Sequence, residues 1–242
     1  MVSKTLAVPE IPFGQVQGRI NRFWDPFARN SFMVVIGITG SGKSHLIRHG
    51  ILPLAHFSRT VVIDVKDDRD SVWAGFGQAV ETLPAAFFKT GNPDHRLVWR
   101  VVVNKATAQQ QLRQVFDQIR AEGHCVIVMD ESRSITEREQ IGLGSVVENL
   151  ITESRGLGTS IIMGAQSSAW AVSALKDQAA CLWVGQTSGE ERALDLAKMI
   201  GPGRPLVPVI GRIPPRQFLY RDNWEGAPLL ALTNPPGAEL AA

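Results

Sequence analysis

Cysteine is scarce: Cys125 and Cys181 are the two in the chain, and each lies inside an apolar run, HCVIVMD and AACLWVG. No spacing suits a disulfide framework or a zinc module, and the apolar flanks predict buried free thiols. Long apolar runs are missing as well. None approaches the roughly 18 residues of a membrane span, and the opening MVSKTLAVPEIPF lacks the apolar centre of a secretory leader. A soluble, cytoplasmic protein is expected. Charge of one sign is also not in excess: the formal net charge is +2. That is far from the basic balance that by itself would mark a nucleic-acid binder. Any contact with DNA must therefore come from local clusters or from assembly of copies. Repeats and low-complexity linkers are absent, and so is the NKxD motif that would read guanine, which favours ATP over GTP.

What is present is an ordinary globular composition, 44% hydrophobic and 20% charged over 242 residues, enough for one sizeable α/β core. Residues 1–31, broken by Pro9, Pro12 and Pro26, are expected to form an N-terminal arm or cover. Strand and helix patterns then alternate, which predicts a mostly parallel sheet flanked by helices. FMVVIG, TVVIDV, LVWRVVV, CVIVMDE, TSIIMGAQ and ACLWVGQ are the expected strands. SGKSHLIRHGIL opens a helix that Pro53 should stop. In TAQQQLRQVFDQIRAEG, Leu112, Val115, Phe116 and Ile119 recur at helical spacing, and Gly123 ends the run. IGLGSVVENLITESRG and EERALDLAKMIG are further helices. The Pro/Gly-rich GPGRPLVPVIGRIPPR is expected as a loop or edge hairpin, and residues 233–242 as a flexible tail.

Directly behind FMVVI stands GITGSGKS, Gly37 to Ser44, which matches G-x-x-x-x-G-K-[ST]. Glycines such as Gly37, Gly40 and Gly42 let the backbone fold tightly. Amides of a loop that runs through Thr39 and Ser41 can then face phosphate oxygens at a helix start. Lys43 would reach the β- and γ-phosphates and Ser44 would ligate Mg²⁺. CVIVMDE supplies the second half. Asp130, at the end of a buried strand, can hold the Mg²⁺ water shell, and Glu131 is placed to polarise the attacking water as general base. TVVIDV and LVWRVVV both fall between Lys43 and Asp130 in sequence. They leave room for an extra strand between the phosphate-loop strand and the Asp-Glu strand, an arrangement of ATPases with a catalytic Glu. The charged loop Asp64, Lys66, Asp67 and Asp68 lies at a strand's carboxyl end, where a structural or solvated role is expected. The six tryptophans, Trp24, Trp73, Trp99, Trp170, Trp183 and Trp224, are expected in core and interface packing.

Beyond Glu131 the chain continues VVENLITESRGLGTSIIMGAQSSAW. Here it resembles the FtsK–HerA superfamily of ring-forming ATPases, over roughly residues 30–200. In that superfamily a helix and an Arg precede a small-residue turn, and the next strand ends in a Gln. This chain has Arg155, then Gly156-Leu157-Gly158, then Gln166. TVVIDVKDD is similar to the superfamily's strand ending Asp-Pro-Lys, although Val65 stands in place of the proline, and Ser167-Ser168 replace the usual Arg-Pro. The resemblance implies a RecA-like P-loop NTPase over residues 32–232 and a homo-oligomeric, hexameric ring. It also implies an arginine finger at Arg155 acting on a neighbour's ATP and a γ-phosphate sensor at Gln166. A helix-end Arg bonding the last carbonyls and a Gln capping its strand are the plain alternatives.

The superfamily includes DNA translocases, conjugation coupling ATPases and viral genome-packaging motors, so double-stranded DNA is the expected cargo. The segment after the Asp-Glu pair, SRSITEREQIGLGS, would face the pore. Its Arg133 and Arg138 could track a phosphate backbone without reading sequence, although Glu137 and Glu139 stand beside them. The alternative is an ATP-dependent protein-assembly or secretion factor that resembles the filamentous-phage assembly ATPases. Those usually carry a membrane span, which tilts the reading to DNA. A slow nucleotide-dependent switch is a third, weaker reading. No winged-helix segment follows residue 200, so sequence guidance would need an adaptor.

Overall fold

A computed structural model describes residues 6–25, 31–55, 59–65, 72–84, 98–104, 106–171, 178–224 and 228–236. Among these, nine strands form one sheet: β1 (Phe32–Ile36), β2 (Arg59–Asp64), β3 (Gln78–Val80), β4 (Val98–Val102), β5 (Cys125–Met129), β6 (Ser160–Ala165), β7 (Cys181–Val184), β8 (Phe218–Asp222) and β9 (Leu230–Thr233). Their spatial order is β3-β4-β2-β5-β6-β1-β7-β8-β9. Every pairing from β3 across to β7 is parallel. β8 and β9 extend the sheet as an antiparallel hairpin.

The central strands read as continuous apolar runs because both of their faces are covered. In β1, Phe32, Val34 and Ile36 point into one core and Met33 and Val35 into the other. The first face carries α3 (Ala108–Glu122), α5 (Gly144–Leu157) and α6 (Glu190–Ile200), packed through Leu112 and Phe116, Val147 and Leu150, and Leu196 and Ile200. The other face carries α1 (Phe13–Phe23) and α2 (Lys43–His45), whose axis continues as a π-helical turn over Leu46–Ile51. Two further short helices among the described residues are α4 (Ser132–Thr136) and α7 (Val207–Ile210). Of the tryptophans, Trp24, Trp73, Trp99 and Trp183 are buried and Trp224 stacks on Phe23.

Several expectations are corrected. The strand between β1 and β5 is β6, which follows both in sequence; β2 and β4 lie beyond β5. None of the three strands that intervene in the chain, β2, β3 and β4, is the one that intervenes in space. Of the arm or cover expected over residues 1–31, residues 13–24 form a cover: Phe13, Val16, Ile20 and Trp24 are core, each such burial stabilising by roughly 1.5–3 kcal/mol. Arg19 also forms a two-pronged ion pair with Asp222 of β8. SRSIT, the start of the segment after the Asp-Glu pair, forms the helix α4. GPGRPLVPVIGRIPPR forms a 3-10 turn over Arg204–Leu206 and then α7, with Pro205 and Pro208 in first turns where a missing N–H costs nothing. The hairpin comes afterwards, as β8 and β9. The chain from 233 to 236 is ordered: Thr233 is fully buried in β9, and the Asn234 amide donates to Glu10. Pro53 sits inside a closing 3-10 turn over Leu52–Leu54. Asp64 is buried in an ion pair with Arg100 at 3.1 Å, whereas Lys66, Asp67 and Asp68 lie outside the described residues.

Candidate nucleotide site

The loop after β1 is seated between two strand ends. The amide of Gly37 donates to the Ala165 carbonyl of β6 at 3.1 Å, and that of Ile38 to the Gln186 carbonyl beyond β7 at 2.9 Å. Gly40 and Gly42 take φ of 82° and 93°, a region that side chains with a Cβ rarely enter. Ser41 is fully buried beneath the turn. Lys43 opens α2 with its Nζ turned over its own loop, donating to the carbonyls of Gly37 at 2.8 Å and Ile38 at 3.1 Å.

Parallel strands bring their carboxyl ends to one edge, where an α/β sheet builds its sites. Asp130 follows β5 there and is buried. One of its oxygens, Oδ2, accepts from the Ser44 hydroxyl at 2.6 Å and from the Trp73 indole N–H at 3.0 Å. A Cβ on Gly164 of β6 would come within 2.5 Å of the Asp130 carbonyl and 3.0 Å of Oδ1, so only glycine lets the carboxylate settle against β6. Glu131 and Gln166 meet across the β5–β6 edge, the Gln166 amide donating to both carboxylate oxygens at 3.3 and 3.4 Å.

These groups line one cavity of about 460 Å³, within the range of ligand clefts. Thr39, Gly40, Gly42, Lys43, Ser44, Asp130, Glu131 and Gln166 contribute to its wall, as do His45, Val72 and Arg216. Gly37 and Ser41 support it from beneath. Val72, Trp73 and Arg216 were missed by sequence reasoning, since no local pattern links a turn before β8 or a segment after β2 to the phosphate loop. A basic residue in a short Pro-rich turn (IPPR) was the faint available signal for Arg216.

The Ser44 hydroxyl and Asp130 carboxylate are hard oxygen donors in mutual contact, the donor type that Mg²⁺ prefers. Among the described residues no group of three or more His, Cys, Asp or Glu forms a metal cage. An ion there would be held by one carboxylate together with phosphates, as Mg²⁺ commonly is. Elsewhere, Arg133 pairs with Glu137 at 2.8 Å one turn along. Arg138 lines a separate groove with the first turn of α3. Arg155 falls in the last turn of α5, and its side chain lies outside the described residues. Cys125 and Cys181 are free and buried, and burial pushes the Cys125 thiol up to about 12.

No protein-family model matches the sequence, and no curated protein matches it. Solved structures do match. The genome-packaging NTPase B204 of Sulfolobus turreted icosahedral virus 2, in complex with ATP-gammaS, is 17% identical with a TM-score of 0.61, over 86% of this chain and 98% of that one. The bacterial conjugative coupling protein TrwB is 12% identical with a TM-score of 0.57, over 96% of this chain and 93% of that one. The pCW3 conjugation coupling protein TcpA, bound to ATPgS, is 14% identical with a TM-score of 0.54, over 89% of this chain and 61% of that one. These neighbours belong to the FtsK–HerA P-loop ATPases, the superfamily that the sequence resembles. At such identities the likeness is one of fold, and the fold is the RecA-like P-loop NTPase fold.

Proposed function

We propose that the chain is an ATP-hydrolysing motor of the FtsK–HerA type, working as a ring of copies that translocates double-stranded DNA. The observation that carries the hydrolase part is the meeting, in one cavity, of the Ser44–Asp130 pair with the Gln166–Glu131 pair above a phosphate loop. Lys43 exchanges its two loop carbonyls for β- and γ-phosphate oxygens. Ser44 and Asp130 would hold Mg²⁺, which when bound neutralises charge on the phosphates. Glu131 takes a proton from water as its oxygen bonds to the γ-phosphorus and the bond to the bridging oxygen of ADP breaks. Gln166 holds the Glu131 carboxylate and ties it to β6, the strand whose end also carries the base of the phosphate loop. A change at the γ-phosphate therefore reaches both β5 and β1 through one strand.

DNA as cargo is supported by the resemblance, by fold neighbours whose names assign them to genome packaging and conjugation, and by Arg138 in its groove. With Arg133 committed to Glu137, Arg138 is the better placed of the two to meet a phosphate backbone. The test is steady-state hydrolysis with and without long duplex DNA at low salt. Wild type is expected to hydrolyse ATP faster with DNA. Glu131→Gln is expected to keep ATP affinity and lose about 100-fold or more in turnover. Turnover that DNA does not alter sinks the DNA reading and leaves the hydrolase standing; stimulation by an unfolded polypeptide would favour the protein-assembly alternative.

A further inference from the structure

We propose that Arg216 is a nucleotide-contacting residue, supplied by the same subunit, that holds the polyphosphate over the loop. The inference rests on the nucleotide reading of the cavity and adds to it a cation that comes from the far end of the chain.

Four observations converge on it. Arg216 lies in the turn before β8 with φ of 66°, a left-handed conformation that costs a side-chain-bearing residue about 1 kcal/mol or more. Its backbone N–H donates to the Ser41 carbonyl inside the phosphate loop at 3.0 Å. Its stem lies over Gly42, where an added Cβ would stand 3.2 Å from Arg216 Cγ and 3.5 Å from its Cα. Arg216 forms part of the cavity wall with Lys43, Ser44, Glu131 and Gln166.

The brace between turn and loop is made by the backbone N–H, so any residue can supply it, and glycine would do so without strain. An arginine there bears the unfavourable φ and adds nothing to that hydrogen bond. What it adds is a planar cation with several N–H donors beside an anion cradle, a shape that matches phosphate oxygens two at a time. Bare Gly42 is then needed twice, once for its own φ and once for the stem above it. The turn also leads directly into β8, which pairs with β7, and the Ile38 amide bonds the carbonyl of Gln186 just past β7. A phosphate held by Arg216 thus connects the loop to the hairpin edge of the sheet within one subunit, whereas Arg155 would act between subunits.

The experiment measures ATPγS binding and unbound thermal unfolding for wild type, Lys43→Ala, Arg216→Gly, Arg216→Ala and Arg216→Lys. Arg216→Gly keeps the turn and removes only the side chain. It is expected to bind ATPγS about 10- to 100-fold more weakly, with an unfolding midpoint within about 3 °C of wild type. Arg216→Ala should lose as much affinity, and Arg216→Lys should retain part of it by charge without the fork. If wild type binds, Lys43→Ala does not, and Arg216→Gly binds like wild type, the proposal is overturned while the nucleotide site stands. If wild type binds no nucleotide, the cavity reading fails and the proposal with it. A weaker-binding Arg216→Gly that also unfolds well below wild type, with no recovery in Arg216→Lys, makes Arg216 a structural brace and likewise overturns the proposal.

Discussion

Asp130 illustrates how much a single side chain depends on its neighbours. Its Oδ2 takes hydrogen bonds from Ser44 and from Trp73, and Trp73 is itself buried. The indole holds the same oxygen that Ser44 meets and so helps to set the direction in which the acid faces the cavity. A Trp73→Phe variant preserves most of the apolar volume and deletes one N–H. The Mg²⁺ concentration giving half-maximal ATPase activity is expected to rise several-fold, with ATPγS affinity in saturating Mg²⁺ near wild type. An unchanged Mg²⁺ dependence would make Trp73 packing alone. At this scale the sequence was informative wherever a residue's role follows from its immediate neighbours along the chain. Lys43, Ser44, Asp130, Glu131 and Gln166, all singled out in the sequence, line one cavity. Trp73 and Arg216 were not legible, because their partners are distant in sequence and no motif encodes either contact.

At the scale of elements, α1 is tied to the β8–β9 hairpin. Arg19 of α1 clasps Asp222 of β8, whose carboxylate also accepts from the Tyr220 hydroxyl at 3.0 Å and from the Leu229 amide at 3.2 Å. The hydrogen bond to Asp222 holds the Arg19 guanidinium above its ordinary pKa, and burial raises the phenol of Tyr220. Asp222→Ala therefore leaves a buried hydroxyl and a guanidinium without their acceptor. A loss of about 3 kcal/mol is expected, read from urea unfolding, together with faster hydrogen exchange in α1. Wild-type exchange in α1 would show that the Arg19–Asp222 pair does not anchor that helix. The Pro-rich stretch before β8 misled sequence reasoning because proline bars a strand interior yet suits the first turn of a short helix. β8 was overlooked for a related reason: FLYRD is a short edge-side strand with no helical or alternating pattern to announce it.

For the whole molecule, function turns on whether the site is completed by a neighbour. The ring reading assigns Arg155 to the adjacent copy's nucleotide. Arg155→Ala and Glu131→Gln are each expected to be inactive alone, and mixtures of the two to recover measurable ATPase activity, because some interfaces then combine an intact finger with an intact base. Mixtures as inactive as the separate variants would leave Arg155 a helix-end residue. By itself the sequence determined the fold class, the phosphate loop, the acid pair and most strands. Those features arise from short-range causes: apolar runs that must be buried on both faces, glycines where φ must be positive, and acids at strand ends. Tertiary structure alone decided that β6 inserts between β1 and β5, which brings Gln166 onto Glu131. It likewise decided that the N-terminal helix and the C-terminal hairpin close on one another, and that Arg216 reaches the phosphate loop. Strand order and such contacts come from how the layers pack, a competition among distant segments that no local pattern records.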